Sequence, residues 1–137
     1  MVRRLKKNRR GIATVEMAIV LPLLLMLTLG AIQYGWLFLK AQQITNAARM
    51  GARTAVLPDA TEAGVRANIL ALMTAADMDT SGYSVTFTPS DITSLEVGDS
   101  LTVQITVPGV NIAMMDTLLL PIPATLGAEV TMAKEGF

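Results

Sequence analysis

A long uninterrupted apolar stretch dominates the pattern of the chain. Residues 17–39 contain no charged side chain, and as an α-helix they measure about 35 Å at ~1.5 Å per residue. A bilayer hydrocarbon core is about 30 Å thick, so this stretch is long enough to cross it. Leucines fill its centre, and Tyr34 and Trp36 lie near its end, where aromatic side chains favour a membrane interface. The pattern predicts one membrane-spanning helix.

The same helix is expected to continue beyond the apolar stretch. No helix breaker occurs between Lys40 and Val56, and proline disfavours helical backbone in the residue before it, so Pro58 predicts that the helix ends near residue 57. The outer part carries a stripe of small residues at four-residue spacing: Ala47, Gly51 and Ala55. Such a stripe allows another helix to approach closely.

Residues 58–137 combine a helical pattern with alternating patterns. Apolar positions at three- and four-residue steps predict a second helix over 60–76, with Asp59 as its candidate cap. Alternation predicts three strands, at 83–88, 101–107 and 128–132. The expected fold class is α+β: a long N-terminal transmembrane helix that continues outside the membrane, then a small domain with one helix and an antiparallel three-stranded sheet. A domain of this size has little core of its own, so we expect it to pack on the outer half of the long helix.

Two short apolar runs, 112–115 and 118–123, form an irregular segment that Asp116 and Thr117 interrupt. It contains methionines, leucines and two prolines, and it is too short to span a membrane a second time. It is expected to form either core or an apolar surface near the membrane or a partner.

Charge is distributed unevenly along the chain. The first eleven residues carry six of the eleven basic residues and none of the acidic ones, which leaves five basic against eleven acidic residues, a net −6, on the remainder. By the positive-inside rule, this leader stays in the cytoplasm and the chain beyond the span lies outside. A cleaved signal peptide fits less well, because its apolar core is usually only ~7 to 15 residues long.

Arg49 and Arg53 lie four residues apart on the outer part of the long helix. Two readings stay open for them. They form a solvated basic edge, or they meet carboxylates of the small domain or of a neighbouring subunit. Nucleic acid is not an expected partner, because the only basic cluster is the leader and it has no interleaved aromatic residues.

Composition excludes several kinds of chemistry. The chain has no cysteine and no histidine, so it cannot form disulfides, thiolate or imidazole metal sites, or Ser-His-Asp and Cys-His catalytic arrangements. Residues 77–82 match the first half of a calcium loop, but Thr88 stands where the loop requires a glutamate. A turn between helix and strand is the better interpretation. We expect a protein that is not an enzyme and has no cofactor.

A carboxylate stands immediately before the apolar stretch, where it is costly unless it marks the end of the span or has a partner. This residue, Glu16, is the fifth after Gly11, which ends the basic leader. Three strings extend the pattern: VEMAIVLPLLL at 15–25, QYG at 33–35 and AARMGARTAV at 47–56. Together they resemble the TadE-like family, pseudopilins of the tight-adherence pilus within the type IV pilin-like superfamily. The resemblance covers roughly residues 11–57.

The resemblance implies processing and assembly roles. A prepilin peptidase would cut between Gly11 and Ile12 on the cytoplasmic side, and Glu16 would pair with the new amino group. A Leu-Pro pair at Pro22 is characteristic of the family, whereas the residue alone indicates only a mild kink. The residues assigned to assembly are Glu16, Pro22, Gly51, Arg49 and Arg53.

These expectations give a three-part organisation: a basic cytoplasmic leader at 1–11, a transmembrane and assembly helix at 12–57, and an exported α+β domain at 58–137. The implied function is a minor or priming pseudopilin of a tight-adherence pilus in the bacterial inner membrane. Its partners would be the lipid bilayer, a prepilin peptidase and other pilin subunits. The resemblance also implies that the major pilin of this system is little more than the helix, so the additional domain favours a minor role. The alternative is a permanently membrane-anchored binding or sensor module.

Overall fold

The long N-terminal helix is continuous through the apolar stretch. The computed structural model describes residues 9–115 and 121–136, so leader residues 1–8 and the apolar residues 118–120 lie outside the described ranges. Helix α1 spans Arg9–Ala55, a length of 47 residues. Pro22 lies inside α1 without ending it. The predicted single helix is confirmed, with its end two residues earlier than expected.

Helix α2 spans Glu62–Ala75. Its N-cap is Thr61, whose hydroxyl accepts a hydrogen bond from the Gly64 N–H at 3.2 Å. The predicted cap, Asp59, is wrong. The Ala60 N–H donates to the Leu57 carbonyl at 3.1 Å, so Asp59 lies within a turn and the helix begins only after it.

The three predicted strands form one antiparallel sheet. Strand β1 spans Ser84–Thr88, β2 spans Ser100–Pro108 and β3 spans Thr125–Ala133. Their order in the sheet is β1-β2-β3, and Val103 at its centre pairs with Phe87 on one side and Val130 on the other. The antiparallel three-stranded sheet is therefore confirmed.

The core lies between the sheet and the two helices. Alternate residues of the central strand are fully buried, namely Leu101, Val103, Ile105 and Val107. Helix α2 contributes Val65, Ile69 and Met73 to the same core. The outer half of α1 completes the core with Ile44, Ala47, Ala48, Ala52 and Ala55. The small domain thus packs on the outer half of the long helix, as the size of the module predicts.

Turns connect these elements where the chain must reverse. The turn before β2 contains Gly98 with φ 94°, a conformation that favours glycine. In the preceding loop, the Thr93 hydroxyl and backbone N–H both donate to Asp91, and these bonds hold the pKa of that carboxyl below its ordinary value. Residues 77–82 form the expected turn between α2 and β1, in which the Ser81 hydroxyl donates to the Met78 carbonyl.

Candidate assembly helix and its junction with the domain

The first half of α1 is exposed and extends away from the domain. Every residue from Ala13 to Leu29 is exposed, including Leu23 at 64% and Leu27 at 72% of their surface. The helix is long and apolar enough to cross a membrane. Glu16 and Pro22, both assigned to assembly, lie on this free half.

The second half of α1 buries one face. From Gly30 onward, residues at three- and four-residue steps become inaccessible to solvent: Gly30, Gln33, Leu37, Lys40 and Ile44. This spacing is that of a single helix face. Contact between α1 and the domain therefore begins inside the apolar stretch, ten residues before Lys40.

Polar side chains within the apolar stretch bond to backbone groups of one irregular segment of the domain. Gln33 Oε1 accepts from the Met115 N–H at 3.0 Å, the Tyr34 hydroxyl donates to the Pro121 carbonyl at 2.7 Å, and Trp36 Nε1–H donates to the Ile112 carbonyl at 2.9 Å. Tyr34 and Trp36 thus have a role in packing within the chain. They position Ile112 and Pro121 against the helix.

Lys40, the first charged residue after the apolar stretch, is 4% exposed. Its Nζ donates to the carbonyl of Ala76, just after the end of α2, and lies 4.8 Å from the centroid of the Trp36 ring. The C-terminal end of a helix carries partial negative charge, and an aromatic face attracts a cation. Lys40 therefore ties α2 to α1. No sequence pattern indicated a role for Lys40, although its spacing from Gln33 and Leu37 places all three residues on one helix face.

The small-residue stripe receives a helix, and that helix is α2 of the same chain. A Cβ atom added at Gly51 would lie 2.7 Å from Ile69 Cδ1, 2.9 Å from Ile69 Cγ1 and 3.6 Å from Val103 Cγ1. The predicted close approach of a helix is confirmed. Gly51 serves packing within the chain, because its own domain covers it, and the assembly role assigned to it stays a prediction.

Arg49 and Arg53 are exposed on the outer surface of α1. Within residues 9–115 and 121–136, neither forms an ion pair, whereas Arg66 pairs with Glu62 at 2.7 Å. Of the two readings, the solvated basic edge describes the isolated chain. The two guanidinium groups are accessible to another molecule.

The predicted processing residues lie near the start of α1. Gly11 and Ile12 fall inside the helix, which begins at Arg9, and Glu16 follows Ile12 by four residues, about one helical turn. Across the part of the chain that the structure describes, no group of three or more acidic residues is arranged to hold a metal ion.

Comparison with known proteins bears directly on this helix. The family model described as TadE-like protein matches residues 11–53. Residues 11–53 are similar to the TadE-like family. The TadE-like segment begins at the predicted cleavage residue and ends two residues before α1 does. The matched family is associated with tight-adherence pili, and together with the apolar helix the match supports membrane anchoring. No curated protein and no solved structure matches the chain.

Proposed function

We propose that this protein is a minor or priming pseudopilin of a tight-adherence pilus. The observation that carries the proposal is the free first half of α1: an exposed, apolar helix in the TadE-like segment, with Gly11 and Glu16 at its start. The helix first sits in the bacterial inner membrane. It then packs against helices of other pilin subunits in the pilus or its initiating complex.

One helix can serve both environments. Lipid and a helix-packed filament both favour a segment whose backbone hydrogen bonds are satisfied internally and whose side chains are apolar. The side chains of residues 17–29 are uncharged and exposed, and the one hydroxyl among them, that of Thr28, donates to the Leu24 carbonyl of the same helix. The domain covers one face of the outer half of α1, so contacts with other subunits use mainly the exposed first half. Arg49 and Arg53, on the outer half, are also accessible to other subunits.

The charge distribution supports an orientation with the N-terminus in the cytoplasm. Six basic residues precede Ile12 and none of the acidic residues does, and basic residues flanking a span are retained on the cytoplasmic side. The domain formed by α2 and the sheet is then exported. Its presence beyond the TadE-like segment favours a minor or priming role over that of a major pilin.

Leader removal tests the proposal. A prepilin peptidase that cuts after Gly11 removes eleven of the 137 residues, so membrane-extracted protein from peptidase-positive cells should have the intact mass of a 126-residue chain beginning at Ile12. Gly11→Val should accumulate full-length protein, because a branched side chain crowds the cleavage site. Gly35→Val is the matched control, since a Cβ at Gly35 meets nothing within 4 Å.

A wild-type chain that keeps its leader in such cells would contradict the pseudopilin proposal. That result would favour the alternative, a permanently membrane-anchored binding or sensor module, in which Gly11 and Glu16 have no processing or assembly role. Cells without the peptidase should contain only full-length wild-type protein.

A further inference from the structure

The domain contacts α1 within the apolar stretch, and the part of the domain that makes these contacts is one of its ends. We define the rim as residues 109–115 and 121–123, which hydrogen-bond to α1 at Gln33, Tyr34 and Trp36. All three helix residues precede Leu39, the end of the apolar stretch. The rim therefore lies alongside apolar helix and does not stand beyond it.

The free half of α1 is too short to fill a bilayer without the rim. If Glu16 marks one boundary of the hydrocarbon core, the free residues 17–29 supply only about 20 Å of helix at ~1.5 Å per residue, whereas the core is about 30 Å thick. A span of about 20 residues from Met17 reaches Trp36. Tilting the helix would require still more residues. Gln33 and Tyr34 therefore lie inside the membrane-spanning part of α1 or at its end.

The composition of the rim suits this position. Its described residues carry no charge, and two of its apolar side chains are largely exposed, Val110 at 61% and Met114 at 60%. Pro121 and Pro123 have no backbone N–H, which lowers the number of donors that need a partner. An exposed apolar surface that continues an apolar helix is suited to lipid.

Irregular backbone at membrane depth requires partners for its polar groups. Two rim carbonyls and one rim N–H form hydrogen bonds with the polar side chains of α1 that interrupt the apolar stretch. Elsewhere in the rim, the Gly109 N–H donates to the Ala124 carbonyl at 2.9 Å, and the Asn111 amide donates to the Ser81 carbonyl at 2.8 Å. Gln33 is fully buried beside the span, and its Oε1 is the acceptor for the rim N–H of Met115.

We infer that the rim inserts shallowly into the lipid leaflet on the domain side, with Met114 and Val110 contacting the upper acyl chains. The protein is then held in the membrane by its helix and by the lower edge of its domain. The inference rests on the membrane anchoring in the proposed function, and it holds whether or not the leader is cleaved.

Single cysteines test the inference, because the chain has none of its own. Full-length protein carrying Met114→Cys, Val110→Cys, Leu25→Cys or Val97→Cys is labelled with the fluorophore NBD and reconstituted in phosphatidylcholine vesicles. Leu25 lies in the free apolar half of α1. Val97 is the matched control, because it is 72% exposed and neighbours Gly98, which bonds to Lys134 at the opposite end of the domain near the end of α1.

Lipids brominated in the upper acyl chain should quench the labels at Met114 and Val110 and leave the label at Val97 bright. The labels at Met114 and Val110 should also emit at shorter wavelength than the one at Val97. Leu25 lies near the middle of the span, so its label is also measured with lipids brominated deep in the acyl chain. If those lipids quench the label at Leu25 but upper-chain bromines quench the label at Met114 no more than that at Val97, the rim inference is overturned while membrane anchoring stands. A Leu25 label that neither lipid quenches would overturn both. Far-UV circular dichroism of each labelled chain verifies that the fold is retained.

Discussion

At the residue scale, Gly51 lies where α1 crosses α2 and the central strand. The absence of a side chain allows Ile69 to pack directly on the α1 backbone, and Val103 closes the other side. The buried alanines of the same stripe, Ala47 and Ala55, keep the two helices close along their contact. Small residues here determine how tightly the domain is attached to its helix.

Gly51→Leu should therefore destabilise the domain. The new side chain has to displace Ile69, and overpacking a core costs typically about 1 to 3 kcal/mol. Unfolding by denaturant in mild detergent, followed by the fluorescence of the single tryptophan, measures the change in midpoint. Gly35→Leu adds the same side chain to the same helix at an exposed site and should change the midpoint little. Equal midpoints for the two variants would show that the Gly51 packing contributes nothing.

At the element scale, α1 has two halves with different surroundings. One half is exposed on all sides, and the other presents a polar and apolar face to the domain. Lys40 holds the second half to the C-terminal end of α2 through its bond to Ala76 and its position over Trp36. The connection fixes how the domain is oriented relative to the helix.

Lys40→Ala should loosen this connection. The variant loses a hydrogen bond from a charged group, which contributes about 1.5 to 3 kcal/mol, together with the packing of the aliphatic stem. We expect faster hydrogen exchange in the last turn of α2 and a lower unfolding midpoint. Arg49→Ala is the control on the same helix, because Arg49 is exposed and truncating it should change stability by no more than about 0.5 kcal/mol. Matching exchange rates in the two variants would argue against a role for Lys40 in holding α2.

At the scale of the whole molecule, the proposed function requires that the free half of α1 leave lipid and enter a packed assembly. Cleavage after Gly11 would create an amino group at Ile12 that is largely protonated near neutral pH. Glu16 could pair with that group in its own chain or in a neighbouring subunit. An unpaired charge at a packed interface costs several kcal/mol, about 3 to 5, so pairing would favour one register of assembly.

Glu16→Gln should consequently insert and be cleaved normally but fail to enter pili. The amide keeps the shape of the side chain and removes the charge that selects the register. Fractionation of sheared pili from membranes, in cells that express only the variant, measures incorporation. Glu129→Gln makes the same change at an exposed position of β3 and should incorporate as wild type does. Wild-type incorporation of Glu16→Gln would show that Glu16 only marks the boundary of the span.

Local patterns of residues were enough to predict the helices and strands. The apolar stretch, the absence of breakers between Lys40 and Val56 and the alternation in three short segments each depend on neighbouring residues, so the long helix and the three strands could be predicted. The strings around Glu16, Tyr34 and Gly51 likewise identified the TadE-like segment. The small-residue stripe predicted a closely packed helix without revealing which helix it receives.

How these elements meet depends on contacts between distant parts of the chain. Gln33, Tyr34 and Trp36 bond to residues 76 to 87 positions away in the sequence, and no local pattern specifies partners at that separation. The same reason explains why α2 rather than another subunit covers Gly51, and why Lys40 has a role that its sequence position did not indicate. Thr61 replaced Asp59 as the cap because a turn at Ala60 delays the start of α2. Local periodicity fixes what a segment becomes, whereas long-range packing fixes which polar groups are buried and must find partners.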